Sequence, residues 1–192
     1  GEANAVASIL VADDGENSIA VFRGAGYRLT AAQVRAARPV FEGAAIVALP
    51  LELQDEAVDA TLRLARDCGA RTVLNPAPAR ALPAAWLPLV DVLTPNALEA
   101  RQLCGLPANA TVPQLGQALL DLGVGAVVMT CGVQGAWVFE RGQAPLPVPP
   151  FAVQAVDTVG AGDAFNAGLC VALAEQATLA EAARFASAAA AL

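Results

Sequence analysis

The pattern that most constrains this chain is an alternation. From residue 45 onward, short apolar runs bounded by turn residues trade places with segments whose apolar residues recur at helical spacing. Ala45–Leu49, Thr72–Leu74, Val90–Leu93, Ala126–Met129 and Ala136–Phe139 read as strands. Between them, Asp55–Cys68 places Ala57, Val58, Leu62 and Ala65 on one helical face, and Ala97–Cys104 and Val112–Leu122 are also helical. A proline-rich connection (Pro145, Pro147, Pro149, Pro150) leads to the run Val153–Val156. A glycine-rich turn then opens a helix to about Glu175, and Leu179–Leu192 is a last helix. Such an order implies an α/β fold in three layers, a mostly parallel sheet with helices on both faces. Folds of this kind bind ligands at the carboxyl ends of their strands. Ahead of the alternation, Val6–Ala12 and Ser18–Phe22 flank Asp13-Asp14-Gly15-Glu16-Asn17 as a β-hairpin, and Thr30 caps a helical stretch to Arg38.

Composition removes whole classes of chemistry. The 192 residues contain no histidine, so the commonest general base and most transition-metal sites are excluded. Acid–base work must come from carboxylates. Eleven basic residues, all arginine, stand against 18 acidic ones for a net charge of −7, and they form no basic cluster, which argues against nucleic acid. Backbone amides and Mg²⁺ can still hold a nucleotide's phosphates. Cys68, Cys104, Cys131 and Cys170 are widely spaced, as expected for reduced thiols in the cytoplasm. The best uncharged apolar run, Ala164 to Ala174, is too short to span a bilayer, and the longer uncharged stretch from Gly123 to Phe139 is broken by four glycines, so no membrane partner is expected. Residues 1–20 lack the basic start of a secretory signal. The chain opens in a strand pattern and stops in an alanine-rich helix without a stop signal, so truncation at both ends is expected.

Four loops fall at the expected ligand-binding ends. In Asp157-Thr158-Val159-Gly160-Ala161-Gly162-Asp163-Ala164-Phe165, two glycines precede a helix. They let the backbone approach an anion, and the helix N-terminus adds partial positive charge. Asp163, in the first turn, is placed to accept a proton from a hydroxyl attacking a phosphate. The same residues also read as a plain glycine turn with an N-terminal helix acid. In Thr94-Pro95-Asn96-Ala97-Leu98-Glu99, Asn96 and Glu99 lie one turn apart and face the same way. They suit phosphate and hydrated Mg²⁺, and equally a helix cap with its capping-box partner. Thr130-Cys131-Gly132-Val133-Gln134-Gly135 joins two strands, and Asn75-Pro76-Ala77-Pro78-Ala79 is a loop whose shape two prolines fix.

Asp-Thr-Val-Gly-Ala-Gly-Asp-Ala-Phe-Asn-Ala-Gly closely resembles the C-terminal signature of the ribokinase, or PfkB-type, carbohydrate kinases. The resemblance covers the whole chain, and the Asn75–Ala79 loop is closer to ribokinases than to fructokinases or adenosine kinases. It implies a ribokinase-like α/β/α fold with a small β-lid hairpin, residues 1–26 forming part of the lid and 27–192 the nucleotide-binding core. It implies Asp163 as the catalytic base, Gly160, Ala161 and Gly162 as the anion hole, and Asn96 and Glu99 at Mg²⁺ and phosphate. ATP would lie along Thr130, Cys131, Gly132, Val133, Gln134 and Gly135, near Asn96 and Gly162, with Ser187 at the adenine edge. Glu52, whose surroundings depart from the family pattern, would contact the sugar together with Asp163; it also reads as a surface acid. Asp157 and the carbonyl of Val159 match a monovalent-cation site, so potassium is implied. The lid implies a homodimer, although Gly26 stands where the family carries Asn.

The function implied is ATP-dependent phosphorylation of a small sugar, D-ribose to its 5-phosphate. Other sugars or nucleosides, or a catalytically inactive nucleotide-binding fragment, are the alternatives, because the family's N-terminal sugar loop is not in this sequence. A dinucleotide-binding oxidoreductase is disfavoured: the G-x-G at Gly160–Gly162 comes late and, like every other G-x-G in the chain, lacks its third glycine.

Overall fold

The computed structural model describes residues 3–11, 17–153 and 158–192. Its centre is a six-stranded sheet in sequential order: β3 (Ile46–Pro50), β4 (Arg71–Asn75), β5 (Val92–Leu93), β6 (Ala126–Thr130), β7 (Ala136–Glu140) and β8 (Leu146–Val148). The first four are parallel; β6 to β7 and β7 to β8 are antiparallel. The strands read as continuous apolar runs because both faces are covered. Leu74, Leu93, Val127, Met129 and Phe139 point into one core, with Val58 and Leu62 of α3 (Asp55–Asp67) and Leu115 and Leu119 of α5 (Val112–Leu122). Their neighbours Val73, Val92, Val128 and Val138 point into the other, with Phe165, Leu169 and Leu173 of α6 (Ala161–Ala174) and Ala182, Ala183 and Ala186 of α7 (Leu179–Ala189). The period-two alternation thus sorts each strand between two helical layers. Each fully buried Leu, Val or Phe contributes about 1.5–3 kcal/mol to holding them together. Val34 of α1 (Ala31–Ala36) packs on the outer side of α3, against Ala57, Ala60 and Leu64.

The hairpin β1 (Val6–Val11) with β2 (Asn17–Phe22) is a separate two-stranded antiparallel sheet. Its connection, residues 12–16, lies outside the described residues, as do residues 154–157.

Two expectations need correction. The proline-rich connection contains β8, which pairs with β7 through Val138 opposite Leu146 and Ala136 opposite Val148. Pro147 is tolerated because this is the sheet's edge, where a missing N–H costs no ladder bond. The helix capped by Thr30 ends at Ala36, and a second short helix, α2 (Arg38–Phe41), follows with proline in its first turn. Pro39 has no N–H to continue the first helix and favours the start of a new one. Val153 belongs to no strand, and the rest of that run lies outside the described residues.

Candidate active site

The carboxyl ends of β4, β5 and β6 meet the amino end of α6 around a cleft of about 190 Å³. Asn75 ends β4 and Ala77 lies in the loop after it, Thr94, Asn96 and Glu99 come from the β5 end and α4 (Ala97–Cys104), and Thr130 from the end of β6. Gly160, Gly162, Asp163, Phe165 and Asn166 complete the lining from the glycine turn and first helical turn. Loops up to 91 residues apart in sequence, Asn75 to Asn166, are thus brought to one place.

The glycine turn is built for an open approach. Gly160 takes the left-handed conformation, with φ 82°, that L side chains rarely adopt, and it stands at the N-cap of α6 without any side-chain cap. The first N–H groups of the helix lack an intrahelical acceptor, and that of Ala161 donates to Thr158 O at 3.2 Å. A Cβ added at Gly162 would meet nothing within 4 Å. Packing does not demand glycine there; the bare backbone leaves room for a ligand. The Asp163 carboxylate is exposed beside these amides and, among the described residues, is engaged in no hydrogen bond or ion pair. A carboxylate so placed is free to take a proton from a hydroxyl brought to the helix end.

Across the cleft, Asn96 and Glu99 form a complete capping box: Asn96 Oδ1 accepts from Glu99 N–H at 2.8 Å and Glu99 Oε2 accepts from Asn96 N–H at 2.8 Å. The helix-capping reading of this pair is therefore realised, and both side chains also line the cleft. Burial pushes the Glu99 carboxyl above its ordinary range, and the Asn96 N–H partly offsets this. Asn96 pairs with Thr130 as an isolated parallel bridge, and Thr130 N–H donates to Pro95 O at 3.0 Å, fixing the β6 end against the β5 loop. Among the described residues no three His, Cys, Asp or Glu side chains cluster. The one carboxylate and one amide opposite Asp163 fit a Mg²⁺ held mainly by phosphate and water, which is how that ion usually binds nucleotides.

Beyond Thr130, the loop is a short 3₁₀ turn over Gly132–Gln134, closed by Cys131 N–H to Gly135 O at 2.8 Å. Gly132, Val133 and Gln134 are exposed and stand outside the cleft lining. Burial raises the Cys131 thiol's pKa and Arg101 pulls the other way. Ser187 Oγ donates to Ala183 O within α7 and lies away from the cleft. Glu52 is exposed just past β3, likewise outside it, next to a second cavity of about 520 Å³ lined by Ala25, Gly26, Arg28, Leu29, Gln33 and Leu53. Ala161 is half-buried and Val159 exposed, and Asp157 lies outside the described residues. Thr94, Phe165, Asn166, Asn75 and Ala77 line the cleft without having been singled out as site residues.

The pfkB family carbohydrate kinase model matches residues 1–192. The chain belongs to that family. Within the pfkB family it is 35% identical over 193 residues to a ribokinase of Haemophilus influenzae, covering 100% of this chain and 63% of that protein. To a deoxyribokinase of Salmonella typhimurium it is 34% identical over 163 residues, 83% of this chain and 53% of that one. A solved structure of Arabidopsis thaliana ribokinase complexed with ribose and ATP superposes with a TM-score of 0.89 at 31% identity, over 100% of this chain and 63% of the other. The chain thus spans under two thirds of the length of these pfkB-family relatives.

Proposed function

We propose that this chain carries the base-bearing and phosphate-binding part of an ATP-dependent sugar kinase that phosphorylates D-ribose at its primary hydroxyl. The observation that carries the reading is the convergence, in one cleft, of Gly160, Gly162 and Asp163 from the head of α6 with Asn96, Glu99 and Thr130 from the β5 and β6 ends. Phosphoryl transfer asks a protein mostly for positioning and charge stabilisation. Asp163 removes the proton from the attacking hydroxyl. The N–H groups of the Gly160–Gly162 turn, reinforced by the helix dipole, stabilise charge on the transferred group. ATP lies along Thr130–Gly135 with its adenine toward Ser187. Asn96 and Glu99 hold hydrated Mg²⁺, which neutralises the triphosphate when bound. Glu52 reaches the sugar, and potassium at Asp157 and the Val159 carbonyl tunes the anion-binding turn. The ribose and ATP named for the Arabidopsis structure support this choice of ligands.

Residues 1–26 act as part of a lid and 27–192 as the nucleotide-binding core. Val6, Leu10 and Phe22 are exposed on one face of the hairpin, which supports dimerisation through the lid. The four free thiols suit the reducing cytoplasm. The 34% identity to a deoxyribokinase supports one second reading, the same transfer to a deoxypentose.

The test is ADP release by the full-length protein with ATP, Mg²⁺ and a panel of D-ribose, 2-deoxyribose, fructose and a nucleoside, with and without K⁺. Ribose-dependent release that K⁺ increases is the expected result. Release with another acceptor moves the substrate assignment. No release with any acceptor overturns the kinase reading in favour of an inactive nucleotide-binding role.

A further inference from the structure

We propose that Asn166 is a positioning residue that straps the anion-binding turn of α6 to the end of β5 through Thr94; its part in catalysis rests on the kinase reading above. Asn166 lies in the second turn of α6, three residues after Asp163. Its Oδ1 accepts from Thr94 Oγ1 at 2.6 Å, and its Nδ2 donates to Gly162 O at 2.9 Å. One side chain therefore joins a strand end to the backbone of the glycine turn, across 72 residues of sequence.

The amide orientation is fixed by elimination. Gly162 O can only accept, so the nitrogen must face it, and the oxygen then faces Thr94. Thr94 has one hydroxyl proton. Leu74 O already accepts from Thr94 N–H at 2.9 Å, and the hydroxyl's contact to that carbonyl is longer, 3.3 Å, than its contact to Asn166. The proton is thus committed to Asn166. Thr94 is 4% exposed, one of three buried polar residues among those described, so its partner is not readily replaced by water.

Two features show why the strap is needed. The turn contains Gly160 and Gly162, neither of whose missing Cβ positions meets any neighbour, so side-chain packing does not hold the turn in place. And α6 lacks a side-chain N-cap, so at its first residue the entry of the chain is held by backbone, Ala161 N–H donating to Thr158 O at 3.2 Å. Phe165, buried at 4% exposure, anchors the neighbouring face of the helix in the core, and Asn166 sets the remaining rotation of the turn toward the cleft. The consequence falls on the geometry of the Asp163 carboxylate and the adjacent amides, which act on the transition state more than on bound ATP.

The experiment uses the full-length protein with Thr94→Val, Thr94→Ser, Asn166→Ala and the double variant T94V/N166A. Hydrogen exchange of the peptide covering residues 158–166 is read by mass spectrometry, and kcat and KM are measured with ATP and the accepted sugar. Faster exchange confined to that peptide in T94V and N166A, with wild-type exchange in T94S, is expected. A misplacement of this order lowers kcat about tenfold to a hundredfold while KM for ATP stays within about twofold. The double variant should be no worse than N166A alone, because both substitutions cut one connection. Unchanged exchange in N166A, or losses in the two single variants that multiply in the double, would overturn the strap. A wild-type protein that transfers no phosphate, yet whose variants exchange faster at 158–166, would sink the kinase reading and leave the strap standing.

Discussion

Asn96 and Glu99 hold each other through two reciprocal 2.8 Å hydrogen bonds at the head of α4, and both line the cleft opposite Asp163. The pair therefore has a local role in the helix and is available for one in ligand binding, and substitutions can separate them. Gln at position 99 keeps the carbonyl oxygen that accepts from Asn96 N–H but carries no charge. Glu99→Gln should leave stability within a few tenths of a kcal/mol, whereas Glu99→Ala should cost about 0.5–2 kcal/mol in denaturant unfolding. Both should lower the Mg²⁺-dependent rate. A Gln variant with full activity would confine Glu99 to capping.

Asp163 is exposed and, among the described residues, unpaired, so its role should show in rate and not in folding. Asp163→Asn in the full-length protein should lower kcat by about 10²–10⁴, the usual contribution of a positioned general base. Its unfolding midpoint should match the wild type. Turnover that survives the substitution would remove Asp163 from the role of base.

Gly116, on α5, faces the ring of Phe139 on β7 so closely that an added Cβ would stand 2.3 Å from Cε1. Both belong to the core on the α3–α5 side of the sheet, where neighbouring atoms have little room to yield. Gly116→Ala should destabilise by about 1–3 kcal/mol through overpacking, despite alanine's better helix propensity. Urea unfolding would measure it; a stabilised variant would show that helix and sheet can separate freely here.

Asp59 accepts from Arg63 Nε at 2.8 Å and from Trp86 Nε1 at 3.1 Å. The hydrogen bond and charge of Arg63, helped by Trp86 and opposed by burial, hold its carboxyl below the ordinary value of 3.8. A depressed carboxyl binds its proton less readily folded than unfolded, so its stabilisation is present above 3.8 and is lost as pH falls through the folded value. Asp59→Asn should therefore lower the thermal midpoint at pH 6 and make progressively less difference as the pH is taken below that ordinary value. A deficit that stays constant with pH would mean that packing, not ionisation, is responsible.

Much of the fold was readable because it rests on local periodicity. The helical spacing of Ala57, Val58, Leu62 and Ala65 and the apolar runs of β4, β6 and β7 follow from which faces must be buried. The capping boxes at Thr30 and Asn96 are contained within four residues, so they too could be read from the chain. β8 was not, because Pro145, Pro147 and Pro149 argue against a strand and only the neighbouring edge of β7 decides that one forms.

The sequence by itself determined the alternation of strands and helices, the glycine-rich helix head after Gly160, and the absence of histidine that leaves carboxylates as the only acid–base groups of ordinary reach. Tertiary structure decided which loops share a cleft and which residues connect them. Thr94 and Asn166 look unremarkable in their own segments. Their 2.6 Å contact exists only because β5 and α6 pack side by side. A hydrogen bond across 72 residues has no local signature: it depends on the relative placement of two elements, and that placement is set by the burial of the whole sheet between its helices.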